Sequence, residues 1–197
     1  MDVVEPGSGK KSVLEKDGTI HSAGDTVLGA DDISGILEIL YGVQLVLDSG
    51  KPHKKIEILF TIGEELYVKG SDVFDYSKVT AKQAYVLDLS EETTFNIGTI
   101  QGGTATNIVP DCCVLTAYET TLESKSVTDF QKACEILGFS GGLTGTFGGS
   151  DNNSFAKNGI EGLVLSNGMY NAHSTREYTT VDDLYKGAEL IGQLILL

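Results

Sequence analysis

The sequence predicts a layered α/β fold: a central, mostly parallel (mixed) sheet flanked by helices, with a short antiparallel addition. Three observations predict it. First, IEILFTI (56–62), AYVLDLS (84–90) and IEGLVLSNG (160–168) are short apolar runs without polar alternation, suited to buried strands. Second, DISGILEILYGVQLVLD (32–48), DFQKACEILGF (129–139) and VDDLYKGAELIGQLILL (181–197) carry a helical period. Third, the two kinds of segment alternate along the chain, as parallel strands with helical crossovers require.

Residues 1–28 are polar and glycine-containing, with short strand-like pieces. Within 32–48, Ile33, Ile36, Leu37, Leu40, Val43 and Leu47 recur at spacings of three and four and mark the face expected to be buried. SGKPHKK then breaks the helix. IEILFTI stops at Gly63 and two adjacent glutamates, Glu64 and Glu65, before a helical piece, LYVKGSDVFD (66–75). The segment 91–118 changes character: NIGTIQGG and CCVLTAYE read as antiparallel strands joined by a link rich in Gly, Thr and Asn. GGLTGTFGGS (141–150) reads as a loop and SFAKNG (154–159) as a short helix ending at Gly159. The expected division is a main body of 1–90 and 119–197 with a small insert at 91–118.

Length and composition narrow the function. A chain of 197 residues with 41% apolar residues is long enough for a packed core. It has no apolar run near the roughly 20 residues that a membrane helix needs. MDVVEPGSGKK lacks the basic start and apolar stretch of a signal peptide. A net charge of −14 repels nucleic acid. Cys112, Cys113 and Cys134 are odd in number and two are adjacent, which suits neither a disulfide framework nor a zinc finger and points to the reducing cytoplasm. GSGKKS (7–12) lacks the first glycine of a phosphate loop, since Val4 stands there.

Ligands of open α/β sheets sit beyond the carboxyl ends of the strands. Acids and histidine at such places are Asp31 and Asp32 ahead of the first long helix, Glu64 and Glu65, Asp88 near a strand end, and His173 a few residues after the last apolar run. Asp2 is a further candidate. Singly, an aspartate there caps a helix, paired glutamates fill an acidic first turn and a histidine sits in a loop. Asp88 inside an apolar strand is harder to dismiss, because a buried carboxylate without a cation or donors is costly. Together the bland readings weaken, since converging carboxylates repel unless a cation sits among them. Carboxylates with an imidazole suit a first-row divalent ion such as zinc. Two ions about 3.5–4 Å apart can share a carboxylate and activate a water, and adjacent glutamates can then divide the work between ligand and base.

In order along the chain, GADDISG, FTIGEE, YVLDLS, TNIVPD, GGSDNNSFA and AHSTRE resemble the peptidase T branch of the co-catalytic dizinc peptidases. That clan includes acetylornithine deacetylase, succinyl-diaminopimelate desuccinylase, carboxypeptidase G and aminoacylase. The resemblance runs from Met1 to the C-terminus. It implies that Asp31 bridges two zinc ions, that Glu65 and Asp88 each ligate one, that His173 is the late histidine ligand and that Glu64 is the general base. It matches Asp2 to the acid of a His-x-Asp motif, and Asn107, Gly148, Gly149, Ser150 and Asp151 to substrate-side positions. The motif's histidine would fall one residue before Met1, so one metal site is expected to be weakened. The family's long lid domain is missing between Ser90 and Glu91, an arginine of the family is replaced by Thr120, and the stretch Ser124 to Asp129 is shortened.

The implied architecture is a zinc-peptidase domain (1–90 and 119–197) carrying a remnant of a lid and dimerisation domain (91–118), expected as a monomer. The implied function is hydrolysis of short peptides by a metallopeptidase of tripeptidase or aminopeptidase type, in the cytoplasm, with no nucleic-acid or membrane partner. Three alternatives stay open: an N-acyl amino acid amidohydrolase, a metal-binding core with impaired turnover, and an acidic interaction module without metal.

Overall fold

The computed structural model describes residues 3–66, 68–89, 101–102, 113–114, 122–144 and 150–197. The α/β fold expected from the sequence is the fold observed. Strands β1 (Ser12–Leu14), β2 (Thr19–Ser22) and β7 (Tyr178–Thr180) form an antiparallel sheet in the order β1-β2-β7. Strands β3 (Gln83–Leu89) and β6 (Glu161–Ser166) pair in parallel, Tyr85 opposite Leu163 and Leu87 opposite Leu165. Strands β4 (Gln101–Gly102) and β5 (Cys113–Val114) form a short antiparallel pair inside the expected insert. The helices are α1 (Ala30–Ser49), α2 (Lys69–Asp72), α3 (Lys125–Leu137), α4 (Asn152–Lys157) and α5 (Val181–Leu196).

Local chemistry fixes most of these boundaries. The Ser124 hydroxyl accepts from Val127 N–H to start α3, and the Thr180 hydroxyl accepts from Asp183 N–H to start α5. The core gathers Leu87, Leu165, Ala133, Ile191 and Leu194, with Tyr85, Phe130 and Leu163 packed around them. Thus α3 lies on the parallel pair, α1 lies against α5 and β3, and α5 reaches the core through Ile191 and Leu194.

Five expectations are corrected, four of them local. Among the described residues the run 56–62 joins no strand ladder, and Ile58, Phe60 and Ile62 are exposed. Its ties are made by side chains instead: Glu57 accepts from Thr80 N–H and Ala81 N–H just ahead of β3. The helical piece at 66–75 shrinks to the four residues of α2, followed by a 3₁₀ turn at Tyr76–Lys78. Asp31 does not follow a strand directly, because β2 ends at Ser22. The last strand is β7, after His173 rather than before it.

The largest difference concerns α1. Of the apolar positions expected inward, Ile33, Leu37, Leu40 and Leu47 are exposed, Leu47 by 55%. The buried face is Ser34, Gly35, Glu38, Gly42 and Val46. Close approach decides this orientation. A Cβ on Gly35 would lie 2.8 Å from Leu87 Cβ, and one on Gly42 only 2.7 Å from the Ala188 carbonyl oxygen. Small residues let the backbone sit against β3 and α5, where a leucine face would hold it off.

That orientation is testable on its two sides. Gly42→Val overpacks the α1–α5 contact and lowers unfolding stability by about 1–3 kcal/mol. Leu40→Lys on the outer side changes it by no more than about 0.5 kcal/mol. Urea unfolding of both variants measures the difference, and the reverse ranking contradicts the packing described.

Candidate metal centre

The close packing of α1 sets the first acids in place. Gly29, in a left-handed turn (φ 79°), leads into Asp31 and Asp32, whose backbones are not helical although the helix closes behind them through Ile33 N–H to the Gly29 carbonyl. The Asp31–Asp32 peptide is cis. The Ser34 hydroxyl donates to the Ala30 carbonyl and accepts from Asn167 Nδ2 at 3.0 Å, just past the end of β6. The Asp pair therefore sits over the carboxyl ends of β3 and β6. Asp88 lies at that same end of β3, at a register shift between Leu87 and Leu89. Such an irregularity re-aims a side chain out of the sheet alternation.

The other residues arrive on turns. Val68 N–H bonds the Glu64 carbonyl and Lys69 N–H the Gly63 carbonyl, closing the bend that carries Glu64 and Glu65. His173 sits in the loop between β6 and β7 with φ 62°, a conformation uncommon for a side-chain-bearing residue. The loop is closed at its base by the Tyr170–Tyr178 bridge, whose rings stack at 4.7 Å.

These segments converge. His173 Nε2 lies 2.8 Å from Asp31 Oδ2 and 3.1 Å from Glu65 Oε1. Asp31, Glu65 and His173 form one group of potential ligands, and Asp31, Asp32 and Asp88 a second; within each group the ligand atoms lie within 4.8 Å of one another. Asp31 belongs to both. Glu64 belongs to neither, yet its charge acts on Asp32 and Asp88.

The electrostatics match the crowding. Burial, then the charges of Asp88, Asp31 and Glu64, push the Asp32 carboxyl up to about 10. Burial and the charges of Glu64 and Asp31 push Asp88 up to about 9. The hydrogen bonds to Asp31 and then Glu65 raise His173 to about 10. The bare cluster thus keeps protons where acids normally release them, and an imidazolium bridges two carboxylates. Asp32 Oδ1 is buried with no hydrogen-bond partner among the described residues.

Of the residues named from sequence, Asp31, Glu65, Asp88 and His173 come together with Glu64 beside them. Asp151 is buried; it accepts from the Thr61 hydroxyl and its charge reaches Asp88. Ser150 is buried, its Oγ accepting from Asn152 N–H at 3.1 Å. Asp2, Asn107, Thr120, Gly148 and Gly149 lie outside the described residues. Asp32, named from sequence beside Asp31 but given no ligand role there, is a member of the second group. One participant was not singled out from sequence. Glu177, four residues past His173, is 2% exposed and accepts from the backbone N–H groups of Gly29 and Asp31 at 2.7 and 2.9 Å. The signal for Asp32 was its adjacency to Asp31; for Glu177 there was only its place within AHSTRE.

Comparison with known proteins bears on this site. The model of peptidase family M20/M25/M40 matches residues 1–197. The uncharacterised protein YqjE of Bacillus subtilis is 25% identical over 291 aligned positions, covering 99% of this chain and 78% of YqjE. Since this chain has 197 residues, at least 94 of those positions have no counterpart in it. Peptidase T of Vibrio cholerae is 32% identical over 119 residues, 60% of this chain but only 28% of that relative. Among solved structures, aminopeptidase PepT from Bacillus cereus is 26% identical with a TM-score of 0.82, covering 98% of this chain and 78% of that one. No helix among the described residues is long and apolar enough to cross a membrane. A match over the whole chain, a peptidase T relative and a PepT structure of the same fold agree, and the chain belongs to peptidase family M20/M25/M40.

Proposed function

We propose that the protein is a metal-dependent hydrolase that cleaves the amide bond of short peptides in the manner of a tripeptidase or aminopeptidase. The observation that carries this reading is the convergence of Asp31, Glu65, Asp88 and His173 from four separate segments, with Glu64 alongside but outside both ligand groups. The residues fit divalent cations: two donor sets share Asp31, and a buried Asp32 oxygen has no hydrogen-bond partner among the described residues. Glu65 and His173 would hold one ion, Asp88 and Asp32 the other, and Asp31 both. The mixture of imidazole and carboxylate favours zinc. Bound there, the ions supply Lewis acidity, lowering the pKa of an attacking water toward about 7 and polarising the scissile carbonyl.

The chain's own groups do the rest. Glu64 takes the proton from the water and passes it to the departing amine. Its adjacency to Glu65 lets one bend present a ligand and a base. Asp151 and Ser150, with Asn107, Gly148 and Gly149, are proposed for the substrate side, and Asp2 for a supporting role at the edge of the site. Residues 1–90 and 119–197 form the proposed catalytic domain, and 91–118 a lid remnant.

A second reading keeps the cation site but reduces turnover. It is favoured by the 94 or more positions of YqjE without counterpart here, which leave less chain to enclose a substrate. Assays on a tripeptide panel and on N-acyl amino acids separate peptidase, amidohydrolase and non-catalytic metal binder.

Glu64→Ala is expected to lower kcat/KM on a tripeptide by roughly 10²–10⁴ while zinc content stays unchanged. An active Glu64→Ala protein with its zinc in place removes Glu64 from the role of base.

The metal-free protein should also show a specific pH dependence. Folded Asp32 and Asp88 hold protons up to about 10 and 9, whereas unfolded aspartates release them near about 3.9. Folded His173 holds its proton to about 10, against about 6.5 when unfolded. In every case the folded state binds the extra proton, so this stability is present at low pH and lost as pH rises. Carboxylates shifted downward, such as Glu57 beside Lys55, act oppositely but are ionised by about pH 5. The melting temperature without metal should therefore fall from pH 5.5 to 8, and zinc should flatten the decline by replacing the protons. A flat metal-free profile contradicts the crowding.

A further inference from the structure

We infer that Glu177 is a positioning residue whose buried carboxylate ties the loop bearing His173 to the turn bearing Asp31, and so sets the spacing of ligands that arrive from opposite ends of the chain. The inference rests on the cation-binding reading above and assigns a role to a residue outside both ligand groups.

Glu177 is one of the largest fully buried side chains, at 2% exposure. Its partners among the described residues are two backbone N–H groups rather than a side-chain cation: Oε2 accepts from Gly29 and Oε1 from Asp31. Both oxygens are engaged, so only a carboxylate of this length satisfies the pair. Glutamine would turn its NH₂ toward one of the N–H groups, losing a bond and setting donor against donor. Aspartate is one methylene short. Leaving either N–H buried and unpaired carries its own desolvation penalty.

The clamp is stiff on the histidine side. Glu177 N–H bonds the Ser174 carbonyl, the Ser174 hydroxyl donates to the Asn171 carbonyl and accepts from Arg176 N–H, so the stretch from His173 to Glu177 folds on itself. Behind it β7 is paired to β2 at His21 opposite Tyr178. A shift of the Glu177 carboxylate therefore becomes a shift of His173 relative to Asp31. Because Asp31 belongs to both ligand groups, displacing its turn weakens both sites, whereas loss of His173 touches one.

The test is zinc titration of the full chain against a chromophoric chelator, for wild type, Glu177→Gln, Glu177→Asp and His173→Ala, with the melting temperature of each metal-free protein. Glu177→Gln and Glu177→Asp are expected to bind both zinc ions about 10–100-fold more weakly, the usual effect of removing a group that orients ligands. His173→Ala should weaken one ion. A Glu177→Gln protein that melts lower without metal yet binds zinc with wild-type affinity overturns the inference, leaving Glu177 a purely structural residue. A wild type that binds no zinc overturns the cation reading itself and this inference with it. Should neither Glu177 variant fold, amide hydrogen exchange on the metal-free wild type decides. Gly29 and Asp31 amides protected as strongly as those of β6 support the clamp, and amides exchanging at loop rates overturn it.

Discussion

Like charges held within reach of one another are the constraint on which the rest of this molecule turns. Asp31 meets Glu65 in one group and Asp32 and Asp88 in another, with ligand atoms within 4.8 Å inside each, and Glu64 acts on Asp32 and Asp88. Ionised together and unneutralised, they would oppose folding. The metal-free chain answers with protons on Asp32, Asp88 and His173, and the imidazolium stands between Asp31 and Glu65 where a cation would otherwise stand. On the proposed cation reading, protons and metal would compete for one set of lone pairs, which would make metal binding, pH and folding a single equilibrium.

Holding that crowd together is the task of the surrounding fold. Small residues on α1 bring the Asp31–Asp32 turn onto the end of β3, Gly35 against Leu87 and Ser34 against Asn167. The irregularity in β3 presents Asp88, and the β6–β7 loop swings His173 over with a left-handed backbone. Glu57 and Thr61 fasten the run leading to Glu64 and Glu65 through side-chain bonds. The stability of these elements maintains an arrangement that would otherwise fly apart.

The sequence made much of this legible, for reasons that differ by element. The strands β3 and β6 and the helix α5 showed because apolar residues such as Leu87, Leu165, Ile191 and Leu194 are what is buried, whereas α3 matches only in part, since Ile136 is exposed and Ser126 and Asp129 are buried. The face of α1 misled because periodicity counts large apolar residues, whereas Ser34, Gly35 and Gly42 bury by being small. The run 56–62 reads as a strand on composition, yet a strand exists only where a partner takes its N–H and C=O groups, and sequence does not display the partner. Asp31, Glu65, Asp88 and His173 were visible as a set, through the motifs GADDISG, FTIGEE, YVLDLS and AHSTRE, although Asp31 and Glu65 do not stand directly after strands. Glu177 was hidden, since a glutamate whose partners are backbone N–H groups leaves no complementary side chain to find.

The central claim is that two divalent ions occupy one place in this protein, sharing Asp31. Anomalous diffraction at the zinc edge, from crystals grown with zinc, tests it most directly. The account predicts two peaks, one bounded by Asp31, Glu65 and His173 and the other by Asp31, Asp32 and Asp88. Zinc found elsewhere on the acidic surface, or none beside Asp31, would contradict it.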